Sequence, residues 1–423
     1  MAFTVRTDRT LIRAEASSTR YVLVRYTAPA AAARESRAPV NVSLVLDRSG
    51  SMSGERKFDL ARQAVEQAMR LLRAEDRFSL VVYDDRVDVL ARGTYATADA
   101  KRHALAALAA IEPRGSTDLC SGWLRGCEQI AEHAGVDELS RCLLLTDGLA
   151  NHGITDRDEL ALHAGELRTR GVATSTFGVG ADFDERLLRD MAHEGSGNFY
   201  FIEGAAQISE LLTSELGEAL EVTVRQAALE VTLPRGAQAE SLNRFRSRRA
   251  RNGTVRIELG DLVSQQELAV VVKVQLPRGR IGEQLHLRLS MAGSGVPLAD
   301  ETATVAFAFA SHEDNDLQAR DQEVDREVAK LYAARARAEA TEANRAHDFT
   351  RAREVLERTA QRIRSYAHGD REMTAVASSL HNDVVVYAEE AMSPMVLKGA
   401  FFMAESAVRS RDVLGRARRE PRL

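Results

Sequence analysis

The chain is predicted to be an α/β protein: a doubly wound, mainly parallel sheet inserted in an antiparallel β-sandwich, followed by a C-terminal α-helical segment. Three observations predict it. From Val40 to about Leu220, short apolar runs alternate with amphipathic helical stretches. Beyond Val222 the alternation changes to period 2 and helices vanish. After His312, small and apolar residues recur at helical spacing. The implied divisions are residues 1–38 (N-terminal sandwich strands), 39–221 (α/β domain), 222–311 (β-sandwich) and 312–423 (helical region).

The first division, "FTVRTDRTLIRAE…RYVLVRYTAP", alternates like the later strands and is expected to pair with them, so that the α/β domain interrupts the sandwich. An Ala-rich linker leads to Val40. In the α/β domain the expected strands are "VNVSLVL", "RFSLVVYDD", "RCLLLTDG", "VATSTFGVG" and "GNFYFI". The helices between them are "KFDLARQAVEQAMRLLR", "KRHALAALAAI", "LCSGWLRGCEQIAEHA", "DRDELALHAGELRTR" and "DERLLRDMAHE". Continuously apolar strands separated by helices imply parallel strands covered on both faces. The sandwich strands are broken by Pro-Arg-Gly, Asn252-Gly253 and Gly293-Ser294-Gly295. The last division reads as a helical hairpin broken at His347-Asp348, resembling one tetratricopeptide-type unit. Helices follow near Glu372–Tyr387 and Leu397–Leu414, then a frayed "GRARREPRL".

Composition narrows the function classes. The 423 residues are 44% hydrophobic and 28% charged, as in a folded globular chain, and the net charge of -5 gives no general attraction to nucleic acid or anionic lipid. Arg and Asp punctuate the N-terminus, so a signal peptide is not expected. No membrane span is expected either, for want of a long uncharged apolar run. Cys120, Cys127 and Cys142 lack zinc-site spacing and read as reduced thiols, which leads to an expectation of cytoplasmic location.

Chemistry concentrates at three strand or helix ends, where ligands collect in parallel α/β sheets. The first strand runs into Asp47-Arg48-Ser49-Gly50-Ser51. Thr117 stands in "PRGSTDLCSG", and Asp147 in "LLLTDGLAN". Two carboxylates and three small hydroxyls form a hard-oxygen set suited to a divalent cation. An isolated Asp or Ser at such a place often merely caps the next helix or makes an Asx turn; five residues on three loops are a specific signal. Asp118 reads as a helix cap, Trp123 as core, and Cys120 with Cys127 as one buried helix face.

This Asp-x-Ser-x-Ser, Thr, Asp set resembles the metal-ion-dependent adhesion site of von Willebrand factor type A domains of bacterial type, which are Rossmann-like in fold. The resemblance spans about Val40–Leu220 and includes "FGVGADFDERLLRDMA" with its "GNFYFI" close. It implies that Ser49 and Ser51 contact the metal directly. Asp47 and Asp147 would act mostly through water, and the contact of Thr117 would depend on conformational state. One coordination position would stay open for an Asp or Glu carboxylate of a protein partner. Mg²⁺ is the expected cation, with Mn²⁺ and Ca²⁺ as alternatives. Relatives commonly have Gly-Gly before the threonine where this chain has Gly115-Ser116. The resemblance further implies readout through the helix Ala206–Leu220 into the strand at Glu221–Val224.

Enzyme readings are weaker. No phosphate loop, nucleophile elbow or His-Glu-x-x-His is present, and His152 reads as an exposed loop residue rather than a general base. The expectation is a binding module without catalytic residues. The alternatives are an accessory subunit of an AAA ATPase, as in chelatase-like complexes, and a metal-assisted hydrolase. The arginines of "NRFRSRRARNG" read as a solvated strand edge.

Overall fold

The computed structural model describes residues 3–31, 37–133, 138–250, 252–295 and 301–419. Residues 32–36 of the Ala-rich linker, Arg251 and the chain's last four residues lie outside these. Three strands come first: β1 (Phe3–Thr7), β2 (Leu11–Arg13) and β3 (Ser18–Thr27). The α/β domain follows as β4 (Val40–Asp47), α1 (Lys57–Leu71), β5 (Arg77–Tyr83), β6 (Val87–Tyr95), α2 (Ala98–Ala109), α3 (Leu119–Ala131) and β7 (Leu139–Thr146). It continues through α4 (Arg157–Thr169), β8 (Val172–Val179), α5 (Glu185–Glu194), β9 (Ser196–Ile202) and α6 (Ile208–Ala219).

Burial explains the central strands: every residue of β4, β7 and β8 is buried, because helices cover both faces of the sheet. The strand order is β6-β5-β4-β7-β8-β9, parallel throughout except for β6, which runs antiparallel to β5. β6 was not among the five expected strands. Only one of its nine residues is buried, so its apolar signal is weak. Side-chain caps start the helices, among them Thr97 for α2, Asp118 for α3, Asp156 for α4 and Asp184 for α5.

Beyond the domain come β10 (Val222–Thr232), β11 (Gln238–Ser241), β12 (Ser247–Arg249), β13 (Thr254–Val263), β14 (Glu267–Leu276), β15 (Gln284–Gly295) and β16 (Thr302–Ala310). With the first three strands they build two facing sheets, β1-β3-β14-β11 and β12-β13-β10-β15-β16-β2. β3 pairs along its whole length with β14, so the α/β domain does interrupt the sandwich. One pairing departs from the antiparallel expectation: the three-residue β2 closes an edge parallel to β16. Gly293-Ser294-Gly295 is strand rather than turn, since Ser294 and Gly295 pair with Arg225 and Val224 of a bulged β10. β12 is the exposed edge strand expected of the arginine-rich stretch.

The helical region holds α7 (His312–Leu317), α8 (Gln322–Arg345), α9 (Phe349–Ala367), α10 (Arg371–Ala388) and α11 (Pro394–Val408). α8 and α9 are the hairpin, and His347 at their junction takes a left-handed φ of 58°. α11 belongs as much to the α/β domain: Phe401 and Phe402 join its core and meet Phe199 edge-on. Buried Lys398 binds Glu185 at 2.5 Å, fixing α11 to the start of α5. The chain end, expected to fray, is held as far as Arg419. Glu267 N–H donates to the Arg418 carbonyl at 2.9 Å, and Ala417 N–H to Glu218 Oε1 at 2.8 Å.

Candidate metal centre

Strand order reverses between β4 and β7, one side of the sheet running on through β5 and β6, the other through β8 and β9. A crevice forms outside the carboxyl ends of two strands that diverge this way. Asp47 ends β4, and Asp147 directly follows β7. Thr117 reaches the same crevice from the α2–α3 connection. Two glycines set its approach: a Cβ on Gly122 or Gly126 of α3 would come within 2.3 Å of Tyr83 or Val45 respectively, so α3 lies directly on β5 and β4.

The five residues come together. Asp47 is fully buried, its Oδ1 accepting from Ser49 N–H at 2.7 Å and its Oδ2 from the Thr146 hydroxyl at 2.5 Å. Both oxygens are thus engaged in shaping the loop. Ser49 Oγ and Ser51 Oγ lie 3.0 Å apart, and Ser51 donates to Asp147 Oδ1 at 2.6 Å. Gly148 shows where Thr117 stands. A Cβ placed on that glycine would meet Thr117 Oγ1 at 3.5 Å and Ser51 Oγ at 3.6 Å, so the two hydroxyls converge on it.

The loops are tied to one another by backbone. Gly50 N–H donates to the Gly115 carbonyl at 3.2 Å, and Arg114 N–H to the Arg48 carbonyl at 2.7 Å. Ser116, standing where relatives commonly have glycine, is exposed. Gly115 before it is constrained, with φ of 70° and a Cβ position 2.4 Å from Asp85 Oδ1.

The electrostatics and the donor set both fit a cation. Burial, opposed only in part by Ser49 and Thr146, pushes the Asp47 carboxyl up to about 6, and Asp147 nearby adds to the rise. Two buried carboxylates lie side by side, and Lys57, 2.6 Å from Asp147, brings one positive charge to the pair, so the site still favours a further cation. Neighbouring ligands of an octahedral ion with arms of about 2.1 Å stand about 3.0 Å apart, which is the separation of the two serine hydroxyls.

Sequence reasoning missed the supporting residues. Lys57 Nζ sits 2.6 Å from Asp147 Oδ2. Two consecutive residues with left-handed φ, Glu55 at 50° and Arg56 at 57°, turn the chain sharply just before it. Asn151 clamps Thr117 from both sides, its Oδ1 accepting from Thr117 N–H at 2.9 Å and its N–H donating to the Thr117 carbonyl at 3.2 Å. Asp84 is fully buried. Burial works against its ionisation, but Arg114, the Arg86 N–H and Arg48 outweigh it and hold the carboxyl below its usual range. Its carbonyl receives Asp118 N–H at 2.8 Å, which braces the Thr117 loop. Asp118 caps α3 through Ser121 N–H as expected, and exposed His152 bonds Asp118 at 3.2 Å. Trp123 is core, donating to Thr174 Oγ1 at 3.2 Å, and all three cysteines are buried.

The helix expected to transmit a signal is anchored by its own buried carboxylate. Glu215 of α6 accepts from Arg141 (2.7 Å), Ser175 (2.5 Å), Asn198 (2.9 Å) and Tyr200 (2.6 Å). Arg141 extends the network to Asp261 of β13 at 3.1 Å, joining the domain to the sandwich. Burial opposes the charge of Glu215, yet Arg141 and Arg411 hold its pKa down to about 2.

Residues 41–214 match the family model of the von Willebrand factor type A domain. An uncharacterized protein, YfbK, of Escherichia coli K12 is 27% identical over 195 residues, 45% of this chain and 33% of that protein. Another, sll0103 of Synechocystis, is 25% identical over 276 residues, 61% of this chain and 63% of that one. The chain thus spans less than two thirds of the length of either relative. Among solved structures, a von Willebrand factor type A protein from Catenulispora acidiphila superposes with a TM-score of 0.70 at 18% identity, covering 93% of this chain and 97% of that one. The ArnB paralog VWA2 from Sulfolobus acidocaldarius gives a TM-score of 0.60 at 15% identity, covering 96% and 98%. These likenesses are of fold, and they take in the domain, the sandwich and the helices together.

Proposed function

Residues 41–214 being a von Willebrand factor type A domain, we propose that the chain is a metal-ion-dependent protein-binding module that captures an acidic side chain of a partner. Domains of this family serve as metal-dependent interaction modules. The observation that carries the reading is the convergence of the Ser49, Ser51 and Thr117 hydroxyls with the Asp47 and Asp147 carboxylates at the strand-order switch. The serine and threonine hydroxyls would hold the cation, Mg²⁺ first by its preference for hard oxygens, with Asp47 and Asp147 orienting them. A divalent ion bound there supplies a Lewis-acidic position that accepts one more carboxylate oxygen.

The residues' own contacts support this division of labour. Both Asp47 oxygens are occupied by Thr146 and the Ser49 backbone, and both Asp147 oxygens by Ser51 and Lys57. Ser51 is exposed, so the hydroxyl side of the cluster is the side open to a partner. Binding without turnover is the proposed role, because His152 bonds Asp118 rather than any of the five site residues. Among the described residues, no helix is long and apolar enough to cross a membrane.

Affinity capture with the wild-type chain in Mg²⁺, in EDTA, and with Asp47→Ala tests the proposal. Proteins retained only by the wild type in Mg²⁺, and released by free acidic peptide, would support it. Identical retention in all three arms would refute it. Co-retention of an AAA-type ATPase would identify the partner as the accessory-subunit reading supposes.

A further inference from the structure

Away from the metal centre, a cavity of about 310 Å³ opens where the α/β domain, the sandwich and α11 meet. It lies at the start of β9, so it faces the amino-terminal edge of the sheet, opposite Asp47 and Asp147. Its arginines are not all matched. Arg168 binds Glu258 at 2.5 Å, Arg189 binds Asp190 at 2.7 Å, and Arg246 binds Glu194. Arg409 and Arg244 also line the cavity, and among the described residues neither guanidinium forms an ion pair with a carboxylate.

Arg409 is the more telling of the two. Its guanidinium has one weak hydrogen bond, to the Gly197 carbonyl at 3.5 Å, and lies 5.9 Å from the Phe245 ring. Glu405, the nearby acid, is approached instead by Arg189 at 3.6 Å and His193 at 3.8 Å. Burial and the neighbouring Arg411 push the Arg409 pKa down to about 10, so the charge is held against its preference. Burial, Arg409 and Arg189 likewise keep His193 neutral, well below its usual range. Glu405 and Glu215 favour the Arg409 charge from a distance but do not outweigh burial and Arg411, so a further anion against the guanidinium would stabilise it.

We propose that this cavity binds a small phosphate-bearing anion, with Arg409 and Arg244 as its charged ligands. Half-buried Arg409 and exposed Arg244 both line the cavity, and each fork offers paired N–H donors that suit the oxygens of a tetrahedral dianion. The volume matches a phosphoryl group with a small organic body. Such a ligand would bridge α11, the turn before β12 and the start of β9.

Thermal denaturation and calorimetric titration of the full chain, without divalent cation, test the proposal. The probes are inorganic phosphate and glycerol 3-phosphate, against chloride at matched ionic strength. The expected result is a rise in Tm of about 2–4 °C at saturation, lost in Arg244→Ala and in Arg409→Met and kept in Asp47→Ala. Arg409→Met in chloride should melt no lower than wild type, because it removes a charge that burial and Arg411 oppose more than Glu405 and Glu215 support. A stronger response to glycerol 3-phosphate would identify a phosphate monoester as the ligand, and an equal response would identify free phosphate. No response above chloride, or a full response retained in Arg244→Ala and Arg409→Met, would overturn the proposal.

Discussion

Lys57 Nζ lies 2.6 Å from Asp147 Oδ2, so the second carboxylate of the candidate metal centre already has a cation of its own. Asp147 is fully buried and the Lys57 side chain is 13% exposed, so neither charge is well hydrated. The lysine balances the site while leaving the Asp147 oxygen that faces Ser51 in place.

Lys57→Met should therefore destabilise the cation-free protein by about 3 kcal/mol, the scale for stranding a buried charge. Mg²⁺ should restore much of that loss. Melting curves with and without Mg²⁺ check this: the Mg²⁺-induced rise in Tm should be larger in the variant than in the wild type. Equal rises would show that Lys57 and the cation do not share Asp147.

Asn151 acts through Thr117. Removing its side chain in Asn151→Ala strips the acceptor from Thr117 N–H, a contact of 2.9 Å beside a residue only 3% exposed. The cost should be about 1–2 kcal/mol, and Mg²⁺ affinity should weaken by about tenfold as the threonine loop loosens. Calorimetric titration reads both affinity and stoichiometry; unchanged affinity would remove Asn151 from the site.

Gly148→Ala separates folding from binding. The added methyl would sit at ordinary contact distance, 3.5 Å from Thr117 Oγ1 and 3.6 Å from Ser51 Oγ. The variant should melt within about 1 kcal/mol of wild type yet bind Mg²⁺ more weakly, since the methyl occupies the point on which both hydroxyls converge. Full affinity in a folded Gly148→Ala protein would argue that Thr117 and Ser51 do not act together.

The buried network at Glu215 predicts a pH dependence. Its pKa is lowered from an ordinary 4.5 to about 2 in the folded state, so its stabilising contribution is complete above about 4.5 and is lost as pH falls toward 2. Glu215→Gln should lower stability at neutral pH by about 3–5 kcal/mol, because Arg141 and Arg411 lose a charge partner. It should also flatten the acid-side slope of ΔG between those two pH values. Denaturant unfolding at a series of pH values checks it; parallel curves for wild type and variant would contradict the assignment.

The parts legible in the sequence were those whose signal is local. β4, β7 and β8 announce themselves because burial on both faces makes them continuously apolar. The serine loop was legible because its residues stand within a few positions of one another and directly follow such a strand. The rest depends on distant contacts. Lys57 meets Asp147 across 90 positions, Thr117 meets Asn151 across 34, and Arg141 meets Glu215 across 74. Nothing beside any of these residues in the chain marks its partner. β6 escaped notice because an edge strand exposed along most of its length lacks the apolar run, and the β2–β16 pairing because three residues carry no period.

Calorimetric titration of Mg²⁺ into the wild-type chain and into Ser49→Ala/Ser51→Ala tests the central claim most directly. One saturable site is expected in the wild type and none in the double variant, with both proteins melting cooperatively. Saturable binding of equal affinity in the two, or none in the wild type, would contradict it.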